Sequence, residues 1–273
     1  MLTEIIIRPS RPWWKVDLKE LWSYRELLYI FAWRDVTVRY KQTLLGISWA
    51  VFQPLVTTGI FSIFFGKIAK IPSGSLPYPL FALIGLTIWN FFSNGVSNAS
   101  NSLVSNGGII SKVYIPKLVI PLSSIITSAV DFGINCILVI LALIYFGFFP
   151  GIEFLFYFPI LFLTLICSML GLGLFSAAIN ILYRDVRYLL PFFIQIGLYV
   201  SPIIYPLSVI YDWRKYILFI NPLTSVLEGT RALISGKPVD MVLTIVGLSM
   251  SLVILLIGLF VFRRTEDKFV DIS

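Results

Sequence analysis

Residues 154–182, FLFYFPILFLTLICSMLGLGLFSAAINIL, contain no Asp, Glu, Lys or Arg. An α-helix rises about 1.5 Å per residue, so about 20 apolar residues cross the roughly 30 Å of hydrocarbon in a bilayer. An uncharged run of this length therefore predicts a transmembrane helix that tilts or projects beyond the membrane. Small residues between Ser168 and Ala177 allow a neighbouring helix to approach it closely.

Further apolar runs lie on both sides of this one. A window of about 20 residues gives six candidate spans: 44–65, 79–96, 118–149, 154–182, 189–205 and 241–262. Spans two and five are short and contain asparagine or glutamine, which predicts contact with other helices or with a lumen. The sequence thus predicts an all-α polytopic membrane protein with a six-helix domain, 44–262, between an amino-terminal segment, 1–43, and a tail, 263–273.

The composition excludes an ordinary soluble domain. Apolar residues make up 58% and charged residues 13% of the 273 positions, whereas soluble domains carry roughly 25% charged residues. The net charge of +7 comes from basic residues between the apolar runs, so no nucleic-acid partner is expected. Cys136 and Cys167 lie inside apolar runs and histidine is absent, so neither a disulfide nor a metal site is expected.

The distribution of basic residues predicts the orientation. With six spans, one side of the membrane holds both termini and the loops after spans two and four, and it carries fifteen Lys and Arg residues. The other side carries six: Lys67, Lys70, Arg214, Lys215, Arg231 and Lys237. Because basic residues collect on the cytoplasmic side, both termini are predicted to be cytoplasmic.

Two segments outside the spans have helical patterns of their own. Residues 18–39 place apolar side chains at helical spacing among charged ones, which predicts an amphipathic helix in the membrane interface. A helix packed on a cytoplasmic partner is the alternative, and different faces can make both contacts. Residues 206–240 predict two short helices that enter the outer leaflet and return, with Asn221–Pro222 as the break.

The chain lacks a phosphate-binding loop of the type Gly-x-x-x-x-Gly-Lys-Ser/Thr. Residues 59–67 and 229–237 come nearest, but each has six residues between its glycines, and Ile68 or Pro238 follows the lysine. We therefore expect no ATP hydrolysis by this chain alone.

Asp131 is the clearest acid inside a predicted span. An ionisable residue there is a functional candidate. The alternative is a structural role, in a pair with a basic residue near the cytoplasmic face or in a hydrogen bond with Asn135 one turn away. One acid without a histidine is a poor proton relay.

Six blocks of the sequence, in order, resemble permeases of ATP-binding-cassette exporters of polysaccharide. They are FAWRDVTVRYKQTLLGISWAVFQP (31–54), LPYPLFALIGLTIWNFFS (76–93), SKVYIPKLVIPLSS (111–124), INILYRDVRYLLPF (179–192), YVSPIIYP (199–206) and INPLTSVLEGTR (220–231). The likeness is strongest to the O-antigen lipopolysaccharide branch; capsule and teichoic-acid exporters are related. Ile115-Pro116-Lys117 stands where the family often has Phe-Pro-Arg, a change that keeps the charge.

The resemblance implies partners that composition does not show. It implies two separate ATPase polypeptides that bind ATP and Mg, a second copy of this chain, and an undecaprenyl-pyrophosphate-linked glycan as substrate. Membrane lipids surround the assembly, which the resemblance places in the inner membrane of a Gram-negative cell.

The loop after span two is the predicted ATPase-coupling element. A short helix that begins after two glycines would dock into the ATPase; the alternative is a plain connecting turn. The predicted coupling residues are Gly107, Gly108, Ile109, Ile110, Ser111, Lys112 and Tyr114.

Basic side chains near the same face are candidates for the lipid pyrophosphate, because arginine binds phosphate in a bidentate manner. They are Arg34, Arg39, Lys41, Arg184 and Arg187. The alternative is that these residues only set the orientation of the chain in the membrane.

Aromatic rings in spans one and five are predicted to line a path for sugar at a dimer interface, since their faces stack on sugar rings. They are Trp49, Phe52, Phe61, Phe192, Phe193, Tyr199 and Tyr205. Lipid contact and helix packing are the alternatives.

Other functions stay open at this point. A transferase or phosphatase of lipid-linked sugars would need acids, histidines or lysines clustered at one face, whereas the acids here are scattered. A drug or small-lipid exporter with a related permease fold is a further alternative.

Overall fold

The computed structural model describes residues 18–41, 46, 48–110, 112–113, 115–210 and 213–266. Every regular element within these ranges is helical, which confirms the all-α prediction. The helices are α1 (Leu18–Ser23), α2 (Arg25–Lys41), α3 (Ser48–Phe61, continued by the π-helical Ser62–Ile68), α4 (Tyr78–Ser105), α5 (Gly107–Ile110), α6 (Val119–Phe146), α7 (Glu153–Leu182), α8 (Val186–Val200), the 3₁₀ turn Leu207–Val209, α9 (Arg214–Ile220), α10 (Pro222–Ile234) and α11 (Met241–Thr265).

Five helices of the described chain are long and apolar enough to cross a membrane: α3 with its π-helical continuation, α4, α6, α7 and α11. They correspond to predicted spans one to four and six. The pair α9 and α10 forms a sixth candidate, with a bend of 98° between its halves. The bend lies at the predicted break, Asn221–Pro222, and its geometry fits either a broken span or a re-entrant loop.

Predicted span five differs from the structure. It was expected over 189–205, but α8 ends at Val200 and Ser201 has an extended backbone, with ψ of 146°. The physical reason is Pro202, because a residue before proline is pushed out of the helical region. With 15 residues, α8 is about 22 Å long and falls short of the bilayer core.

Two other boundaries shift for local reasons. Helix α6 ends at Phe146 because Gly147 adopts a left-handed conformation, with φ of 72°, and donates to the carbonyls of Leu143 and Ile144. Helix α4 runs nine residues beyond the predicted end of span two, to Ser105. Hydropathy marks only the part of a helix in hydrocarbon, whereas residues 97–105, which are mostly polar, continue the same helix.

Helix α4 is the centre of the bundle. Residues 80–89 are all buried, which is more than two full turns, so the helix is covered on every side. It packs against α6 and α7 and also contacts α3, α8 and α10. This agrees with the expectation that span two contacts other helices.

The tightest crossing joins α7 to α11. A Cβ on Gly258 would lie 2.1 Å from the carbonyl oxygen of Gly171, and a Cβ on Gly171 would lie 2.6 Å from the backbone of Ile254. The small residues of span four therefore allow the close approach that the sequence predicted, because only glycine fits between the two backbones.

The amino-terminal helices pack on one end of the bundle. Phe31 is buried in a cluster with Leu118 and Phe262, and the apolar side chains of α1 and early α2, such as Leu27, pack against it. This apolar face was expected to lie in the membrane interface, whereas it contacts the protein's own core. Val38, which belongs to the predicted apolar face, is exposed instead, and so are four apolar side chains outside that face: Trp22, Tyr29, Ile30 and Trp33.

We predict that Gly258→Ala lowers the apparent melting temperature of the purified protein, because the added methyl meets backbone atoms that cannot rotate away. Overpacking of this kind costs about 1–3 kcal/mol. Gly133→Ala in α6 is the matched control, since a Cβ there has no heavy atom within 4 Å and alanine favours a helix. Equal melting temperatures for the two variants would contradict the crossing.

Candidate functional site

Helix α2 is joined to α6 by the acid that the sequence singled out. Nη1 of Arg39 and the hydroxyl of Tyr40 both donate to the carboxylate of Asp131. Nδ2 of Asn135 donates to the main-chain oxygen of Asp131 at 3.0 Å. The structure thus makes both contacts of the structural alternative, and the carboxylate holds two helices together.

Tyr40 donates a hydrogen bond to the carboxylate of the Arg39–Asp131 ion pair. Burial is the main cause that raises the pKa of Tyr40 well above its ordinary value, and the hydrogen bond to Asp131 adds to it. A phenol with a raised pKa keeps its proton through the physiological range. Asp131 therefore accepts from a cation and from a neutral hydroxyl at the same time.

Asn106 is the residue at which α2, α4 and α5 meet. Nη2 of Arg34 on α2 donates to Oδ1 of Asn106 at 2.9 Å. Nδ2 of Asn106 donates to the carbonyl of Ser102 in α4 at 2.8 Å. Its own carbonyl accepts from the backbone N–H of Ile109 and Ile110 in α5, at 2.9 and 3.1 Å. We call the contacts of Arg34, Asn106, Arg39, Tyr40 and Asp131 the junction.

The predicted coupling element forms a helix of one turn, α5, directly after Asn106. It begins at Gly107 and so includes both glycines, whereas the sequence predicted a start after them. Ile109 and Ile110 pack against the Phe31 cluster, and Lys112 is exposed in the turn that follows. Ser111 and Tyr114 lie outside the described residues. Helix α5 therefore has one face toward the bundle, formed by Ile109 and Ile110, and one face away from it, where Gly108 is exposed.

The predicted anion-binding residues divide into two groups. Arg34 pairs with Asp35 at 2.8 Å and Arg39 pairs with Asp131, so both guanidinium groups have structural partners. Lys41, Arg184 and Arg187 are exposed, and within the described residues no carboxylate lies in ion-pair range of them.

The seven aromatic residues predicted to line a path for sugar lie mostly on the outside of the single chain. We call them the aromatic lane. Five of them, from α3 and α8, are 51–62% exposed: Trp49, Phe52, Phe192, Phe193 and Tyr199. Phe61 and Tyr205 are half-buried, and the hydroxyl of Tyr205 donates to the carbonyls of Tyr199 and Val200. Helices α3 and α8 both pack on α4, which leaves their rings available to lipid or to another chain.

Arg231 is the charged residue that the sequence interpretation misplaced. It was counted as an external topology charge, whereas only 5% of it is exposed. Nη1 donates to the carbonyl of Pro202 at 2.6 Å, and Nη2 donates to the carbonyls of Ile203 at 2.8 Å and Phe81 at 3.3 Å. The guanidinium also lies 3.5 Å from the centroid of the Phe81 ring.

Glu228 completes this arrangement one turn earlier on α10. Its Oε1 accepts from the backbone N–H of Leu207 at 3.2 Å and lies 3.5 Å from Nη1 of Arg231. A Cβ on Gly85 would lie 2.6 Å from Nη2, so α4 needs a glycine where the guanidinium passes. We call Arg231, Glu228 and the carbonyls they hold the arginine clamp.

The clamp holds the chain where α8 stops. Carbonyls beyond the end of a helix lack the partners that the next turn would supply, and inside a membrane water does not replace them. Tyr78 adds a further bond, from its hydroxyl to the carbonyl of Ile204 at 2.9 Å. The sequence signal was the Glu228–Arg231 spacing of three residues, which places both side chains on one helical face.

Comparison with known protein families gives a match between residues 26–234 and the family described as ABC-2 type transporter. The chain belongs to the ABC-2 type transporter family. The matched region runs from the start of α2 to the end of α10. It therefore contains the junction and the arginine clamp of this ABC-2 type chain.

Individual relatives match along most of their length. The O-antigen export system permease protein RfbA of Klebsiella pneumoniae is 24% identical over 247 residues, 90% of this chain and 95% of the relative. RfbA of Myxococcus xanthus is 27% identical over 220 residues, 79% and 83% of the two chains. The polysialic acid transport protein KpsM of Escherichia coli is 27% identical over 241 residues, 86% and 91%.

We predict that Arg231→Met destabilises this ABC-2 type chain by about 3 kcal/mol, the cost of removing one partner of a buried pair. The carbonyls of Pro202 and Ile203 lose their donor, and Glu228 loses its cation. Thermal unfolding in detergent measures the change. Arg214→Met is the control because Arg214 is exposed; equal unfolding of the two variants would refute the clamp.

Proposed function

We propose that this chain is the permease subunit of an ATP-driven exporter that moves a lipid-linked polysaccharide, of the O-antigen class, across the inner membrane. The observation that carries the proposal is the match, over 79–90% of this chain, to proteins named as O-antigen export permeases. The carrier lipid is undecaprenyl pyrophosphate, as the sequence resemblance implies.

The working assembly contains two copies of this chain and two ATPase polypeptides. The lack of a phosphate-binding loop in the sequence supports a separate ATPase, which binds ATP and Mg. The exposed rings of α3 and α8 support a partner copy on that side, because a sugar path between two chains would be lined from both. This chain contributes transport without catalysis.

The asymmetry of basic residues supports an orientation with both termini in the cytoplasm. In this orientation α5 and the junction lie at the cytoplasmic face. The exposed rings of Tyr29 and Trp33 then lie at the level of the head groups, where aromatic side chains collect. Helices α9 and α10 enter from the outer side and return, as a re-entrant pair.

Coupling passes through Asn106. Closure of the ATPases on ATP would move α5, whose backbone is bonded to the Asn106 carbonyl. The same residue is bonded to α2 and α4 through its side chain, and α2 is bonded to α6 through Asp131. A push on one short helix therefore reaches three others without passing through a flexible loop.

The exported lipid has a charged pyrophosphate and a neutral glycan, and a different surface of the chain contacts each of them. The exposed cations Lys41, Arg184 and Arg187 attract the pyrophosphate, since charge-assisted bonds to phosphate oxygens are strong. The aromatic rings of α3 and α8 stack on the sugars and let the polymer slide. A wholly aliphatic wall would leave sugar hydroxyls unpaired, at about 2–7 kcal/mol each.

A capsular polymer is the second candidate substrate. The observation in its favour is the match to KpsM, a protein named for polysialic acid transport. The same permease architecture suits both substrates, and the identity of the exported glycan separates them.

We predict that the complex of this chain with its ATPase moves a lipid-linked glycan into sealed inner-membrane vesicles when ATP is supplied. Trp49→Ala and Tyr199→Ala should slow this movement while leaving basal ATP hydrolysis unchanged, because the rings contact sugar and not the ATPase. Glycan protected inside the vesicles and phosphate release measure the two activities.

Phe156→Ala is the control, since Phe156 is more exposed than either ring but lies on α7. Export at the wild-type rate by both ring variants would contradict the proposal that the aromatic lane contacts the sugar. Failure of the complex to move either O-antigen or capsular lipid-linked glycan would refute the proposed function.

We predict that Gly108→Glu uncouples ATP hydrolysis from export. A Cβ at Gly108 has open space around it, so the variant should fold, while the new charge alters the face that meets the ATPase. Gly151→Glu is the control, because Gly151 has the same open space and precedes α7 at the other end of the bundle. Normal export by Gly108→Glu, with the ATPase still bound, would make α5 a plain connection.

A further inference from the structure

A large cavity lies between α6 and α7. Its volume is about 420 Å³. Helices α4 and α10 form its floor, and the loop between α6 and α7 forms one end. We call it the α6–α7 cavity; it plays no part in the junction, the clamp or the aromatic lane.

The wall of this cavity is apolar almost throughout. Phenylalanine side chains dominate it, among them Phe132, Phe158 and Phe162. Two threonines line it, but the hydroxyl oxygens of Thr87 and Thr230 are themselves buried and make no hydrogen bond. A bound water needs two to four polar partners and a sugar needs more, so the cavity suits neither.

The mouth opens through a surface that the membrane covers. Ile140 and Ile144 of α6 belong to the wall, yet 54% and 59% of them are exposed. A cavity that opens into a bilayer fills with hydrocarbon, because chains in the membrane are as apolar as the wall. Interiors are otherwise packed without large voids.

The depth and volume fit a single chain from one leaflet. The wall runs along α7 from Phe154 to Leu165, about 16 Å at the helical rise, and half of the bilayer core is about 15 Å. An apolar cavity of about 150 Å³ holds benzene, so this one holds roughly 15 to 20 carbon atoms. That is the size of one fatty acyl chain and far less than a long polyprenyl chain.

Two charged residues that lie close in sequence to the wall favour one kind of lipid. Glu153 is adjacent to the wall residue Phe154, and Lys237 follows the wall residue Ile234 by three positions. Both are exposed. One acid and one base suit the ammonium and the phosphate of a zwitterionic head group, whereas a pyrophosphate would require an excess of cations.

We propose that the α6–α7 cavity binds one acyl chain of a zwitterionic phospholipid, taken from the leaflet on the side of the α6–α7 loop. The bound chain fills the space between α6 and α7 and completes their packing. This inference requires only that the chain spans a membrane, and it is independent of the exported substrate.

The first test measures the lipid that stays with the purified full-length chain after prolonged detergent exchange. Mass spectrometry should find phosphatidylethanolamine at about one molecule per chain. Val139→Trp places an indole inside the cavity and should reduce this lipid at least about five-fold, because the ring occupies part of the path that the acyl chain would take. Ile137→Trp is the control, since Ile137 is exposed on α6 outside the wall.

Equal retention of phospholipid by the two variants would overturn the proposal, and so would recovery of a polyprenyl lipid in its place. A second measurement covers the case in which Val139→Trp does not fold. Wild-type protein in vesicles containing phosphatidylethanolamine with a photoreactive group on its acyl chain should be labelled mainly between Phe132 and Leu165. Equal labelling of α11, whose Val253 and Leu256 are also exposed, would refute the site.

Discussion

The guanidinium of Arg231 satisfies a constraint that a membrane places on any broken helix. Backbone carbonyls in hydrocarbon must be hydrogen-bonded within the protein, and α8 stops at Val200. The carbonyls of Pro202 and Ile203 find their donor on α10, 28 or more positions away. The glycine at position 85 and the ring of Phe81 both lie against that one side chain.

A second polar contact works at the opposite end of the same central helix. Arg231 reaches the carbonyl of Phe81, in the first turn of α4, whereas Asn106 caps its last turn and holds α2 and α5. Between them, α4 is buried on all sides over residues 80–89. A helix of 28 residues spans about 42 Å, so α4 is a rigid connection between the two polar ends of the chain.

The parts of the fold that depend on local pattern were predictable. Apolar runs correspond to the five long helices, and Asn221–Pro222 marked a break that the structure contains. The roles of single charges were not predictable, because they depend on groups that are distant in sequence. Arg34 contacts Asn106, 72 positions away, and Arg231 contacts Phe81, 150 positions away. A count of basic residues by loop treats Arg231 as exposed. In the structure it is buried, because it donates hydrogen bonds to the carbonyls of Pro202 and Ile203. Asp131 could be placed near a cation from sequence, but not assigned to Arg39.

The bundle carries two surfaces of different chemistry. The proposed sugar path on α3 and α8 must accept hydroxyl groups, whereas the wall of the α6–α7 cavity offers them almost nothing. Both surfaces are built on α4, which contacts α3 and α8 as well as α6, α7 and α10. Residues 80–89 of α4 are buried against these neighbours. The proposed export of a hydrated polymer would require this close packing to stay intact, because a gap along α4 would let water reach the apolar cavity.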